Sequence, residues 1–148
     1  RETMFYRGLI IAFTVLIGGL IWSNQVDPTS ANEINLPKEN ISPPITTVSS
    51  IEQINFAKFL NDKNIVMYSA YWCPHCNDQK QLFGKKAVEE LIIVECAKDG
   101  KDNQYKLCQE KGIEGFPSWE INNDIYSGTM SLNELAGMTN YDGDVNFE

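Results

Sequence analysis

The pattern of apolar and polar positions divides the chain into three regions. Residues 8–26 contain no charged side chain, and most of them are apolar. About 20 such residues are enough to cross a bilayer as an α-helix. The pattern therefore predicts a transmembrane helix with a short flank in residues 1–26, a linker in residues 27–48 and an α/β domain in residues 49–148.

The charges that border the apolar run predict its orientation. Arg1 and Arg7 precede it, and the next Lys or Arg is Lys38. Because cations stay on the cytoplasmic side, we expect the amino end inside and the domain outside, on the side of the membrane where disulfides persist. A cleaved signal peptide, with Thr29-Ser30-Ala31 as its small-residue site, is the alternative. Since the first residue is Arg1 rather than Met, we also expect processing or excision from a longer polypeptide.

The linker assignment rests on composition. Residues 27–48 contain four prolines, several Ser and Thr, and few large apolar side chains. Prolines keep such a segment extended. We expect it to act as a tether that lets a catalytic head reach a neighbouring membrane surface.

Helical and strand patterns alternate after residue 48. Ser50 and Ser131 each precede a Gln or Glu by three positions, which is the capping-box signature of a helix start. The wholly apolar run 91–94 is typical of a buried parallel strand. The predicted elements, in order, are a helix from 51, a strand at 65–68, a helix from 74, a strand at 91–94, a helix at 103–111, a hairpin at 119–126 and a helix from 132.

The candidate chemistry lies in residues 71–76, Tyr-Trp-Cys-Pro-His-Cys, between a predicted strand and a predicted helix. Pro74 suits the first helical position because its missing N–H costs nothing there. Cys73 then lies at the helix N-terminus, where free amides and the macrodipole favour a thiolate. Cys76 follows one turn later, within reach of a disulfide. The spacing indicates a redox pair.

Other readings of these cysteines are weaker. A zinc site needs two more ligands, but Cys96 and Cys108 are twelve positions apart and His75 is the only histidine. A cysteine hydrolase needs a base from another element. For Cys96 and Cys108 we expect a structural disulfide, with an electron relay from Cys76 as the alternative. The net charge of −8 argues against a nucleic-acid partner, because no basic stripe is present to neutralise phosphates.

The chain has, in order, a strand, a Trp-Cys-x-x-Cys motif, a helix, and a later proline before a hairpin. Over about residues 50–140 this arrangement resembles the thioredoxin fold, which is a central mixed sheet flanked by helices. The resemblance implies that Pro117 is cis, and that the backbone of Phe116 pairs with an extended substrate peptide beside Cys73. It also implies Cys73 as the nucleophile and Cys76 as the resolving cysteine. Trp72, Tyr71 and Phe116 would form an apolar lip for unfolded substrate.

A narrower resemblance rests on three features, which are residues 71–85, the second cysteine pair and the segment 115–121. Together these are similar to the thioredoxin-like domain fused to bacterial and plastid vitamin K epoxide reductase homologues. That family implies a membrane-tethered oxidase of exported protein thiols in the periplasm or thylakoid lumen. Its electrons would pass to a vitamin K epoxide reductase-like membrane partner, on the same or another polypeptide. A quinone is implied for that partner, and no cofactor is expected on this chain.

Two residues suggest the direction of electron flow. His75, when cationic or when donating a hydrogen bond to the Cys73 thiolate, would stabilise the reduced pair and raise its reduction potential. Met67 occupies the position where cytosolic thioredoxins carry a buried aspartate for reductive work. Both favour oxidation of substrate thiols. A tethered reductase or isomerase of the same fold, and a metal-binding module using Cys73, His75 and Cys76, remain the alternatives.

Overall fold

A computed structural model describes residues 39–147, which lie within one structural unit formed by residues 38–148. The predicted transmembrane helix, and residues 27–38 of the predicted linker, lie outside the described residues. Within residues 39–147, no helix has the length and apolar character needed to span a membrane. The elements, in chain order, are α1 (Ile51–Asp62), β1 (Val66–Ser69), α2 (Pro74–Phe83), α3 (Lys85–Val88), β2 (Ile92–Glu95), α4 (Tyr105–Glu110), β3 (Ser118–Ile121), β4 (Asp124–Ser127) and α5 (Leu132–Met138).

The four strands form one mixed sheet in the order β2-β1-β3-β4. Strand β1 pairs with β2 in parallel and with β3 in antiparallel fashion, and β3 and β4 form a hairpin. The hairpin turns through Asn122 and Asn123, whose φ angles of 54° and 71° are those of the tight turn that suits right-twisted strands. The active-site helix α2 follows directly from the central strand β1, so its first residues lie at the carboxyl end of that strand.

Alternation along β1 divides the apolar side chains between the two faces of the sheet. Met67 belongs to the larger core, and its neighbour Tyr68 belongs to a smaller cluster on the other face. The larger core is formed by side chains of the strands β1 and β3 and of the helices α1, α2, α3 and α5. The main buried side chains of that core are Phe56, Leu60, Met67, Phe83, Trp119 and Leu135.

Both predicted capping boxes are present. Ser50 accepts a hydrogen bond from the Gln53 amide and the Gln53 side chain bonds back to the Ser50 amide. Ser131 and Glu134 do the same at the start of α5. Each box satisfies two amides that a helix start otherwise leaves without partners, so the sequence fixes where these helices begin.

Residues 39–48 lie against the domain, although their composition assigned them to the linker. The Gln81 side-chain oxygen accepts hydrogen bonds from the amides of Thr46 and Thr47, at 3.1 and 3.2 Å. The Lys85 amide donates to the Thr47 carbonyl at 2.9 Å. The prolines keep this segment extended, which leaves its backbone groups free to bond with α2 and the start of α3. We call residues 39–48 the strap.

Two elements differ from the sequence predictions. The short helix α3 was not predicted, because four residues carry little periodicity. Strand β2 is at the edge of the sheet, so Ile92 and Ile93 are half-buried rather than fully buried as their apolar character suggested. Only Val94 of this run is a buried strand residue.

Candidate active site

Cys73 is the N-cap residue of α2, as its place before Pro74 predicts. Its sulfur accepts a hydrogen bond from the Cys76 amide at 3.4 Å, and its thiol donates to the Phe116 carbonyl oxygen at 3.5 Å. The side chain is only 6% exposed. A negative charge on this sulfur would be stabilised by the helix N-terminus, which supplies both an amide donor and a favourable dipole.

Cys76 lies deeper in the protein than Cys73. It is 1% exposed, and both cysteines are free thiols in this structure. Burial is the main cause that raises the pKa of the Cys76 thiol to about 11. The Ser69 hydroxyl and the Ala70 backbone act against this shift in pKa, and the Cys73 thiol acts with it. The two sulfurs are therefore unequal. Cys73 is placed to meet a substrate, and Cys76 is placed to react with Cys73 from inside.

The loop before β3 forms the second wall of the site. The Phe116–Pro117 peptide bond is cis, and Pro117 is buried while Phe116 is half-buried. Within residues 39–147 the Phe116 N–H donates no hydrogen bond, so it is available to an extended peptide laid beside Cys73. Trp72 packs edge-on against Phe116, with ring centroids 6.1 Å apart, and is 60% exposed. The two rings form an apolar surface next to the reactive sulfur.

The other predicted site residues are placed differently. The His75 ring faces Asp78, with Nδ1 3.7 Å from a carboxylate oxygen, and its side chain is largely exposed. The structure does not bring it onto the Cys73 sulfur, and its tuning role stays a prediction. Tyr71 donates its hydroxyl proton to Asp99 at 3.0 Å and its amide proton to Glu95 at 3.1 Å. It packs against the core rather than standing free at the lip.

Cys96 and Cys108 form a disulfide that joins the end of β2 to α4. Each is 3% exposed and belongs to the smaller core cluster with Tyr68 and Val94. In the described part of the chain, no three His, Cys, Asp or Glu side chains come together as a candidate metal site.

Sequence analysis missed the polar residues on the buried side of α2. Gln79 is fully buried, and its amide group bonds both backbone groups of Met130, at 2.8 and 3.0 Å. Lys80 is 6% exposed and donates to the Ser42 hydroxyl at 2.9 Å. The signal was available, since positions 76, 79, 80 and 83 share one helix face. Lysine and glutamine side chains on a helix are usually solvated, so their type alone does not indicate burial.

Residues 47–139 match the family model described as Thioredoxin. This range includes every element from α1 to α5, both cysteine pairs and the cis-proline loop.

Among curated proteins, the chain is similar to "Thiol-disulfide oxidoreductase LTO1" of Arabidopsis thaliana, with 38% identity over 148 residues. The alignment covers 95% of this chain and 39% of that protein. It is also similar to "Protein disulfide-isomerase" of Saccharomyces cerevisiae, with 29% identity over 113 residues, 72% of this chain and 21% of the relative. The chain thus spans about two fifths or less of these relatives.

Proposed function

Because the chain belongs to the thioredoxin family, we propose that it oxidises the thiols of exported proteins and forms disulfide bonds in them. In this proposal a membrane anchor at the amino end holds the domain in the periplasm or thylakoid lumen. The electrons leave through a membrane partner similar to vitamin K epoxide reductase, on the same polypeptide or another one.

The observation that carries the proposal is the position of Cys73. Its sulfur accepts a hydrogen bond from the Cys76 amide at the start of α2 and lies beside the Phe116 carbonyl. A thiolate stabilised at a helix N-terminus makes the reduced pair more stable, and a stable reduced form makes the disulfide form a better oxidant.

The exchange takes place in two balanced steps. A thiolate of the substrate attacks Cys73 of the Cys73–Cys76 disulfide, forming a mixed disulfide while the electron pair of the broken bond stays on Cys76. A second substrate thiolate then attacks the substrate sulfur and releases Cys73 as a thiolate. The substrate has lost two electrons, and the pair has gained them as two thiolates, which take up from solvent the two protons that the substrate thiols released.

Substrate contact in the proposal uses the wall opposite Cys73. The free N–H of Phe116 would pair with the backbone of an extended segment, and the ring of Trp72 would contact its apolar side chains. Both contacts suit unfolded polypeptides, because a backbone hydrogen bond and an apolar contact do not depend on a particular substrate sequence.

The direction of electron flow is supported by Met67. This residue is fully buried in β1, where a reductive thioredoxin would hold a carboxylate that accepts the proton of its inner cysteine. Without that base at this position, attack by Cys76 on a mixed disulfide is disfavoured, and the oxidising direction is favoured by comparison.

The membrane partner is proposed from the resemblance of residues 71–85 and 115–121 to the fused domains described above. The similarity to a protein named thiol-disulfide oxidoreductase over 95% of the chain supports the same class of chemistry. The quinone belongs to the partner. This chain's part is to present the reduced Cys73 and Cys76 to a disulfide of that partner.

The reduction potential of the Cys73/Cys76 pair tests the direction. The full chain would be equilibrated in glutathione buffers, beside a Cys96→Ala/Cys108→Ala variant that isolates the first pair. A value of about −180 mV or higher supports the oxidase. A value near about −270 mV is that of a thioredoxin-type reductant and would contradict it.

Reoxidation tests the partner. The reduced chain would be mixed with a purified vitamin K epoxide reductase homologue and quinone in lipid vesicles, with Cys73→Ser as the matched control. We expect the Cys73–Cys76 disulfide to return only when quinone is present. If the wild-type chain exchanges with glutathione but is not reoxidised in the vesicles, the proposed partner is contradicted. The proposed exchange chemistry is then unaffected.

A further inference from the structure

A buried lysine lies behind the active-site disulfide. Lys80 is 6% exposed, a rare environment for an ammonium group, which is costly to remove from water unless it is paired. It is not part of the fold's hydrophobic core, and the exchange mechanism above does not use it. Its burial therefore needs an explanation.

The position of Lys80 on α2 places it close to the inner cysteine, Cys76. Cys76 and Lys80 are four residues apart on the same helix and both are buried, so their side chains lie on one face, with Cβ atoms about 5–6 Å apart. The strap holds the ammonium from the other side, since Lys80 donates a hydrogen bond to the Ser42 hydroxyl at 2.9 Å.

The charged and titratable groups around Lys80 come from two elements. Cys73 and Cys76 belong to the start of α2, and Glu95 ends β2. Burial lowers the pKa of Lys80, while the thiols and the Glu95 carboxylate oppose that shift. Glu95 is itself held by the amides of Tyr71 and Ala97, at 3.1 and 2.8 Å, and forms no ion pair with Lys80 within the described residues. Of these groups, Cys76 opposes the effect of burial on the pKa of Lys80 most strongly, ahead of Glu95 and Cys73.

We propose that Lys80 is a positioning residue for the exchange reaction, whose ammonium group stabilises the thiolate that Cys76 carries when its disulfide with Cys73 opens. The inference rests on the proposed function and deepens it. It assigns to an α2 lysine the electrostatic control of the inner cysteine.

Opening of the disulfide places a negative charge on Cys76. The substrate thiolate forms a bond with Cys73, the Cys73–Cys76 bond breaks, and its electron pair stays on the Cys76 sulfur. That sulfur is buried, so its negative charge needs a nearby cation or a proton. Lys80 supplies the positive charge in place and keeps its own proton, and the sulfur takes up a proton from solvent as the pair reaches its dithiol form. In the reverse direction that proton returns to solvent and the ammonium again faces the thiolate.

The main test compares Lys80→Met and Lys80→Arg in the full chain, with the exposed Lys86→Met as the control. We expect Lys80→Met to shift the equilibrium with glutathione about tenfold toward the disulfide, or about 30 mV lower. We also expect dithiothreitol to reduce this variant's disulfide about tenfold more slowly. Lys80→Arg, which keeps the charge, should recover most of both losses, and Lys86→Met should change neither.

The inference is overturned if Lys80→Met stays within twofold of the wild type in both the glutathione equilibrium and the rate of reduction. It is also overturned if Lys80→Arg is as impaired as Lys80→Met. A wild-type chain that does not exchange with glutathione at all would overturn the proposed function instead.

A second measurement needs no folded variant. The side-chain ammonium of Lys80 would be titrated by NMR in the wild-type chain, once with Cys73 and Cys76 as a disulfide and once as thiols. If the thiolates interact with Lys80, its midpoint is higher in the reduced chain. Equal midpoints in the two redox forms would overturn the inference even if Lys80→Met did not fold.

Discussion

At the scale of single residues, the two sulfurs of the site differ in what surrounds them. Cys73 has a backbone amide, a backbone carbonyl and an aromatic lip within contact. Cys76 is enclosed by the protein and is harder to ionise. The same burial that protects the inner sulfur from stray thiols links its protonation to the stability of the fold.

That link predicts how stability depends on pH. Burial raises the pKa of Cys76 from its ordinary value near 9 to about 11, so between these values the unfolded thiol is ionised and the folded one is not. The neutral Cys76 thiol therefore contributes to the free energy of unfolding fully below about pH 9. This contribution is lost as the pH rises toward 11, at about 1.4 kcal/mol per pH unit. We expect the reduced wild type to lose about 2 kcal/mol over this range relative to Cys76→Ser.

Urea unfolding at pH 8 to 11 in a phosphine reductant measures this difference. Both proteins would carry Cys96→Ala and Cys108→Ala, so that no other cysteine outside the site titrates. Parallel pH curves for the wild-type site and Cys76→Ser would contradict the prediction.

The identity of the redox pair could be predicted from the sequence because its chemistry depends on local spacing. Two cysteines flanking a Pro-His pair at a helix start need no tertiary information, and the structure places both of them at the start of α2. The helix face that Lys80 shares with Cys76 can be derived from the sequence, but its burial cannot. Its burial depends on the strap, whose Ser42 is 38 positions away along the chain. The individual roles of Cys73, Cys76, His75 and Pro117 stay predictions.

At the scale of elements, the junction of α2 and α3 depends on one glycine. Gly84 ends α2 by donating to the Lys80 carbonyl at 3.2 Å, and its own carbonyl accepts the Val88 amide at 3.1 Å to begin α3. Its φ of 80° and ψ of 167° belong to a region that only glycine adopts readily. A side chain here would also meet Ser49 of the neighbouring segment at 2.6 to 2.8 Å.

We therefore expect Gly84→Ala to destabilise the fold far more than Gly112→Ala. Gly112 also has a positive φ, of 67°, but nothing lies within 4 Å of an added Cβ. The expected losses are about 3 kcal/mol for Gly84→Ala, from backbone strain and overpacking, and about 1 kcal/mol for Gly112→Ala, from the backbone alone. Chemical denaturation of the two variants measures both, and equal losses would refute the role of Ser49.

The elements that the sequence predicted well carry their own boundary signals. Ser50 and Ser131 cap their helices through residues three positions away, and the Asn122-Asn123 turn sets the register of its hairpin. The strap and α3 carry no such signal. They are ordered by contacts with α2, which a local pattern does not contain.

At the scale of the whole molecule, the second disulfide joins the edge strand β2 to α4, twelve residues later. Both cysteines are buried in the smaller cluster, away from the exposed lip at Trp72. This placement favours the structural role expected from the sequence over the electron relay.

The structural role predicts a loss of stability without a loss of exchange. Closing a loop of about 13 residues restricts the unfolded chain by about 3 kcal/mol. We expect Cys96→Ala/Cys108→Ala to unfold at lower denaturant by that amount while Cys73 exchanges with glutathione at an unchanged rate. A variant that keeps its fold but loses turnover would identify the pair as a relay.

The α/β thioredoxin-like fold expected for residues 49–148 is confirmed by the family match and by the mixed sheet. It was predictable because the order of helices and strands, with a Cys-x-x-Cys after the first strand, constrains the topology. The anchor and the membrane partner stay predictions. They concern residues and proteins beyond the described part of the chain.

The unequal exposure of two tryptophans gives the domain an optical readout of its own state. Trp72 is open to solvent directly beside Cys73, whereas Trp119 is fully buried under α2 and Phe83. A disulfide quenches the emission of an adjacent indole, and a solvated indole emits at longer wavelength than a buried one. The long-wavelength part of the intrinsic fluorescence should therefore brighten when the pair is reduced, so each turnover can be followed in real time without a label.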